Sequence, residues 1–436
     1  MSTALLTDRY ELTMLQAALA DGTAHRRSVF EVFTRRLPPG RRYGVVAGTG
    51  RVLEAIRQFR FGDAELAWLR EQEIVNDETL DYLANYRFTG DVYGYAEGEV
   101  FFPGSPVLVV ESSFAEGILL ETVILSILNY DSAVASAASR MTSAAGSRPC
   151  LEMGSRRAQE QAAVAAARAA VVAGFTGTSN LEAGRSYDLP TIGTAAHSFT
   201  LLHDDEEAAF ASQVAAYGTR TTLLVDTYDI PTGVRRAIAA AGTELDAVRL
   251  DSGDLGVVAR EVRDLLDSLG AAGTKIVVSS DLDEYAIASL AVAPVDAYGV
   301  GTSVVTGSGA PTCGMVYKLV EREGADGRMT GVVKASRAKN SVAGRKSAAR
   351  RLDEAGRAVE EVVLAGADAS WTPSGGNLRL LHVPLVRAGQ VDERFVGADG
   401  VRLAAERHLA SRGELGPSAR RLSAGDPAIP TTHVQL

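Results

Sequence analysis

The chain has 436 residues, 46% hydrophobic and 22% charged, which suffices to bury a large core and by size divides into two or three domains. A formal net charge of -10 excludes the broad basic face that nucleic-acid or anionic-membrane binding needs, while leaving room for a local basic pocket. Two cysteines, Cys150 and Cys313, with no Cys/His pair at metal-ligand spacing, support neither a disulfide framework nor a structural zinc site, and both thiols are expected to be buried.

The N-terminal stretch carries Asp8, Arg9 and Glu11 and neither a basic leader nor an unbroken apolar core, so no signal peptide is expected and the expected location is cytoplasmic. Residues 1–135 show helical patterns at 10–20 and 50–58 and a β-rich, Gly/Pro-punctuated stretch at 90–111, which predicts a separate α+β domain. From 136 to 309, short apolar runs at 150–153, 175–178, 191–194, 221–225, 247–250, 275–278 and 297–300 alternate with helical stretches at 155–173, 205–217, 232–241, 255–269 and 283–290. That alternation predicts βα units and a parallel sheet, at a spacing that fits a compact α/β barrel. The Ala-rich segment 162–175 is too short to span a bilayer and contains Arg168, so it reads as a packed helix and no membrane span is expected. Beyond the barrel, 314–333 leans to β-structure, 336–351 reads as a basic loop, and the segment 310–415 is expected to complete the first domain. Residues 416–436, rich in Pro, Ser and Arg, read as a loose tail.

The C-terminal end of nearly every apolar run is polar or glycine-rich, and in an α/β barrel those ends carry the active site. Helix capping accounts for any one of them, but not readily for the whole series with its two arginines and one histidine. Thr191-Ile192-Gly193-Thr194-Ala195-Ala196-His197-Ser198 reads as an apolar strand ending in a small-residue turn. Such a turn lets a ligand reach the backbone, and it sets His197 at the pocket shared by the strand ends of Thr178, Asp226, Asp251 and Thr302. His25, His203, His382, His408 and His433 read as ordinary surface or core residues. Gly299-Val300-Gly301-Thr302-Ser303, late in the array, offers the backbone N–H groups of Gly301 and Thr302 to a phosphate. Arg249-Leu250-Asp251-Ser252-Gly253-Asp254 places two carboxylates, suited to Mg2+ or ribose hydroxyls, beside a guanidinium suited to a phosphate or a ring. Arg156 and Arg157, read as opening a helix after Gly154-Ser155, add the helix dipole to two cations and so suit an anion.

Together these motifs resemble the nicotinate phosphoribosyltransferase family over roughly residues 5–350. The resemblance rests on Leu6-Thr7-Asp8-Arg9-Tyr10-Glu11-Leu12-Thr13-Met14, Phe33-Thr34-Arg35-Arg36-Leu37-Pro38, Leu120-Glu121-Thr122 with Leu128-Asn129-Tyr130, and Gly154-Ser155-Arg156-Arg157-Ala158-Gln159. It continues through Gly177-Thr178-Ser179-Asn180, Gly193-Thr194-Ala195-Ala196-His197-Ser198, Arg249 to Asp254 and Gly299-Val300-Gly301-Thr302. It implies an irregular TIM-like α/β barrel with a second β-containing domain formed from both ends of the chain, assembled as a homodimer. It also implies that nicotinate attacks C1 of phosphoribosyl pyrophosphate, with ATP as co-substrate and coupling through a phosphorylated histidine, His197 by the motif match.

On that footing Arg249 and Asp251 with Mg2+, held by Asp251 and Asp254, would neutralise the leaving pyrophosphate, and Gly301-Thr302 would cradle the 5′-phosphate. Tyr10 would stack on the pyridine ring, while Arg156 or Arg157 and Ser198 would handle its carboxylate or the pyrophosphate. The Thr178-Ser179 pair bears on base choice, because the related nicotinamide enzyme carries an acidic residue near that position; Ser179 beside Arg156 and Arg157 favours an acid. Glu182, where the family usually has an apolar residue, and Met153, in place of a common aromatic, are departures that bear on ring packing. Nicotinamide phosphoribosyltransferase and a non-catalytic nucleotide-binding barrel are the competing readings. A Schiff-base lyase is disfavoured because Lys275 opens its strand and Lys318 lies beyond the array.

Overall fold

In the computed structural model, which describes residues 2–334, 342–367, 371 and 377–435, six short strands pair in parallel within the unit Ala137–Gly309. Their order is Gly177–Thr178, Cys150–Glu152, Ala297–Val300, Lys275–Ser280, Ala247–Leu250, Thr222–Leu224. The two edge strands are consecutive in the chain, so the sheet has the cyclic order of a ring opened at one seam. Leu223, Val248, Leu250, Ile276, Val278, Tyr298 and Val300 are buried on one face and Ala247, Val277 and Ala297 on the other, as in a parallel sheet covered on both faces. Most of the intervening helices start on their own side-chain caps: Asn180, Asp205, Asp229, Asp254 and Asp283 each accept from N–H groups of the first turn. Part of the polar character at the strand ends is therefore capping. The fold is of the α/β class.

Two expectations for this unit are corrected. The run 191–194 forms no strand and contributes a single bridge, Thr191 to Thr178. Gly193 and Thr194 are exposed and Ile192 only partly buried, so no burial drives a ladder there. Arg156 and Arg157 lie in a one-turn 3-10 helix, Ser155–Arg157, whereas the α-helix Glu160–Val172 begins after its Gln159 cap. The dipole of that helix is thus not presented at the two arginines.

The other unit, Met1–Ser136 with Ala310–Leu436, holds a seven-stranded antiparallel sheet in which three strands from the first part of the chain lie between two pairs of strands from the last part. Met315–Glu323 pairs with Arg27–Thr34, and His382–Arg387 pairs with Asp91–Tyr95. A four-stranded sheet adds Lys346–Leu352, Ala358–Ala365, Leu378–Leu380 and Thr431–Gln435. The basic loop expected at 336–351 is therefore partly strand, and its residues 336–341 lie outside the described residues. The tail expected to be loose contains a 3-10 turn, Pro417–Arg420, and a strand parallel to Ala358–Ala365. Main-chain pairing and the buried Ile429 hold that strand while its own side chains stay mostly exposed, which is why no apolar pattern announces it.

Buried Arg350 donates to Glu99 at 2.7 Å, Glu361 at 2.6 Å and Glu414 at 3.0 Å, with Arg379 bridging Glu99 and Glu414. Burial alone would raise the Glu99 carboxyl, but the two guanidinium groups outweigh it and hold it at about 2. Cys150 and Cys313 are free and buried, and burial pushes both thiols up to about 12. No helix among the described residues is long and apolar enough to cross a membrane.

His408, on the helix Gly397–Gly413, is buried with Nδ1 at 3.2 Å from the Gly98 carbonyl, and burial followed by the Arg412 charge lowers it from 6.5 to about 4. The folded state then binds fewer protons than the unfolded one, so this group contributes stability above pH 6.5 that is lost as pH falls toward 4. The stability of the wild type relative to His408→Gln, read by urea denaturation, is expected to fall by on the order of 1.4 kcal/mol per pH unit across that window.

Candidate active site

Parallel pairing brings every strand's C-terminal end to one edge of the sheet, and a two-lobed cleft lies there. One lobe, about 230 Å3, is walled by Arg156, Arg157, Arg249, Asp281, Gly301 and Thr302. The other, about 320 Å3, is walled by Ser155, Ser179, residues 192–196, His197 and Leu224. Met153, Arg156, Arg249 and Asp251 line both. A larger cavity of about 480 Å3 in the other unit holds none of the motif residues, so size alone does not locate the chemistry.

Arg249 spans the junction of the lobes. Its guanidinium donates to Ser279 Oγ at 2.6 Å, Asp251 Oδ1 at 2.9 Å and Thr194 Oγ1 at 3.1 Å. Ser279 in turn donates to Asp251 Oδ1 at 2.6 Å. Burial would raise the Asp251 carboxyl, but the Ser279 hydroxyl, the Arg249 charge and His197 together hold it below the usual carboxylate range. His197 is the first residue of the short helix His197–Leu202 and not the end of a strand. Its Nδ1 lies 3.1 Å from Thr227 Oγ1, and its Nε2 lies 4.0 Å from Asp226 Oδ1 and 3.9 Å from Asp251 Oδ2. One ring nitrogen thus meets a hydroxyl and the other faces two carboxylates.

A family model for the nicotinate phosphoribosyltransferase (NAPRTase) N-terminal domain matches residues 5–129, and one for the nicotinate phosphoribosyltransferase (NAPRTase) family matches 149–354. A nicotinate phosphoribosyltransferase of Mycobacterium tuberculosis is 57% identical over 437 aligned positions, covering 98% of this chain and 94% of the relative. The chain belongs to the nicotinate phosphoribosyltransferase family. A nicotinate phosphoribosyltransferase of Bacillus subtilis is 37% identical over 364 positions, 81% of this chain and 74% of the relative. The crystal structure of human nicotinic acid phosphoribosyltransferase matches with a TM-score of 0.83 at 26% identity, covering 98% of this chain and 97% of that one.

Of the residues singled out on the family motifs, Arg156, Arg157, Ser179, His197, Arg249, Asp251, Gly301 and Thr302 line the cleft. Thr178 does not: it is fully buried and its hydroxyl donates to Glu152. Ser198 is exposed on its helix outside the cleft lining, and Asp254 caps the helix Leu255–Ser268 through the Gly256 and Val257 N–H groups. Tyr10 belongs to the other unit, where it is half exposed, and burial followed by Glu121 and Glu11 pushes its phenol up to about 12.

Asp226, expected among the strand ends sharing the pocket, lies beneath the cleft lining, and Thr227, Ser279 and Glu152 carry contacts that no motif assigns. Asp226 Oδ2 accepts the Asp251 N–H at 2.8 Å and the Ser252 hydroxyl at 2.7 Å, while the buried Oδ1 has no hydrogen-bond partner among the described residues. The signal is positional: Asp251 directly follows the strand Ala247–Leu250, and Asp226 stands two residues beyond Thr222–Leu224.

Gly154 is held by close approach. A Cβ there would stand 2.2 Å from Val305 Cγ1 and 2.9 Å from the Gly301 carbonyl oxygen, whereas one on Gly193 meets nothing within 4 Å. Gly154→Ala is expected to destabilise the fold by about 1–3 kcal/mol in urea denaturation, and Gly193→Ala to stay within about 0.5 kcal/mol of wild type.

Proposed function

We propose that this protein joins nicotinate to the ribose C1 of phosphoribosyl pyrophosphate, releasing pyrophosphate and forming nicotinate mononucleotide for NAD salvage, with ATP hydrolysis coupled through His197. The observation that carries the reading is the convergence of His197, Arg249 and Asp251 on one cleft in a chain 57% identical to a nicotinate phosphoribosyltransferase. The sheet is read as an irregular, incompletely closed TIM-like barrel and the protein as a homodimer, as the family resemblance implies, with the cytoplasmic location expected from its N-terminal sequence.

As the pyridine nitrogen bonds to C1, the C1–O bond to pyrophosphate breaks and charge moves to the leaving oxygens. Arg249 with Arg156 or Arg157 meets that charge in the smaller lobe, and preorganised cations are worth most where water is excluded. Gly301 and Thr302 take the 5′-phosphate. Ser179 and Arg156, both lining the larger lobe, present a hydroxyl and a cation to the nicotinate carboxylate. With Thr227 Oγ1 accepting from Nδ1–H, the Nε2 of His197 carries the lone pair that attacks the γ-phosphorus of ATP as ADP departs.

Mg2+ is compatible with this donor set through Asp251, whose carboxylate is held ionised and whose Oδ2 makes no hydrogen bond among the described residues. Asp254 is engaged as a cap, so one carboxylate and substrate phosphates would hold the ion, the usual mode for Mg2+. When bound, it would supply charge neutralisation at the pyrophosphate.

The test is mononucleotide formation from phosphoribosyl pyrophosphate with nicotinate, nicotinamide or quinolinate, with and without ATP, for wild type and His197→Ala. Expected is ATP-stimulated product from nicotinate, with the variant reduced to the ATP-independent rate. Turnover of nicotinamide in preference to nicotinate would overturn the substrate, and product from none of the three bases would overturn the activity.

A further inference from the structure

Glu152 ends the strand Cys150–Glu152 with its side chain fully buried, and its hydrogen-bond partners among the described residues are neutral. A carboxylate buried without a cation is costly, and burial raises this one above the usual carboxylate range, opposed by the hydrogen bonds it accepts from Thr178 and Gly154. Its two oxygens reach two different loops. Oε1 accepts the N–H of Gly154, at the start of the turn that carries Ser155, Arg156 and Arg157. Oε2 accepts the hydroxyl of Thr178, at the start of the turn that carries Ser179 and Asn180.

Other bonds run the same way. The Ser179 N–H donates to the Glu152 carbonyl at 2.8 Å, the Asn180 N–H donates to Thr178 Oγ1 at 2.9 Å, and Asn180 Nδ2 donates to Ser155 Oγ at 3.0 Å. The two turns are thus laced together below the cleft, and both line the larger lobe, with Ser155 and Arg156 from one and Ser179 from the other. Glu152 and Thr178 themselves do not line it.

We propose that Glu152, acting with Thr178, is a positioning residue that sets Arg156 relative to Ser179 and so determines the selection of an acidic pyridine base. The inference rests on the reading of nicotinate as substrate given above. Both partners of Glu152 donate, so the clamp needs an acceptor on each oxygen. Glu152→Gln keeps one acceptor and turns an N–H toward a hydroxyl oxygen that already accepts from Asn180. Thr178→Val removes the hydroxyl and strands both Glu152 Oε2 and the Asn180 N–H, whereas Thr178→Ser keeps it.

The experiment measures KM and kcat for nicotinate, nicotinamide and phosphoribosyl pyrophosphate in wild type, Glu152→Gln, Thr178→Val, Thr178→Ser and the Glu152→Gln/Thr178→Val double variant, with thermal melts alongside. A lost charge-assisted hydrogen bond predicts a nicotinate KM raised about tenfold in Glu152→Gln and in Thr178→Val, with a smaller rise, about threefold at most, in the phosphoribosyl pyrophosphate KM, because Arg156 also lines the smaller lobe but Arg157 and Arg249 remain there. The nicotinate preference over nicotinamide narrows in both, the double variant is no worse than Glu152→Gln alone, and Thr178→Ser brings the nicotinate KM back to within about twofold of wild type. Equal rises in KM for both substrates, a kcat loss with unchanged nicotinate KM, or a Thr178→Ser variant as impaired as Thr178→Val would overturn the positioning role. If Glu152→Gln does not fold, the Thr178 pair decides the question by the same criteria. A wild type that prefers nicotinamide would instead overturn the substrate reading, an outcome visible before any variant is made.

Discussion

The molecule's chemistry depends on parallel strand pairing. Because all six strands of the sheet run the same way, their C-terminal ends gather at one edge, and side chains just beyond them meet neighbours from the next strand. Three of the five junctions carry a cross-link of this kind. Glu152 meets Thr178, the Asp226 carboxylate takes the Asp251 N–H and the Ser252 hydroxyl, and Arg249 meets Ser279. The result is a layer of hydrogen bonds between the apolar sheet and the cleft, which holds otherwise independent loops in register. Polar groups this close to the core must be satisfied by one another where water cannot reach them, and that requirement gives the cleft its rigidity.

The electrostatics follow from the same layer. The chain as a whole is acidic, yet Arg156, Arg157 and Arg249 share one lobe of the cleft, so a polyanion meets a local field opposite in sign to the protein's net charge. Asp251 stays ionised in that setting because Ser279 and Arg249 outweigh the cost of its burial. His197 sits between a hydroxyl on one nitrogen and two carboxylates on the other side, which distinguishes its two nitrogens without any contact from the remaining histidines. His382 and His408 show the contrasting case: buried against backbone carbonyls and lowered to about 4, they remain neutral over the physiological range.

Where sequence reading failed, the physical causes differ. The run 191–194 has strand-like composition but lies exposed on the cleft, so composition overstated its pairing. The segment Thr431–Gln435 pairs through its main chain, which leaves no periodic apolar trace to read. Arg156 and Arg157 look like the opening of a helix because helix-forming residues follow, yet Gln159 takes the cap and leaves them in a separate turn. Thr178 and Asp254 sit inside functional-looking motifs but spend their side chains on Glu152 and on a helix cap.

What the sequence by itself determined is what local pattern and ordered motifs can carry: the α/β rhythm, most strand positions, the family, and the cleft residues His197, Arg249, Asp251, Arg156, Ser179 and Thr302. What only the tertiary structure decided is which of the remaining polar groups meet. Glu152 and Thr178 are 26 residues apart, Asp226 and Asp251 25 apart, and Arg249 and Ser279 30 apart. Those contacts are set by strand register across the sheet, and register emerges from packing the whole unit, so no single stretch of the chain encodes it.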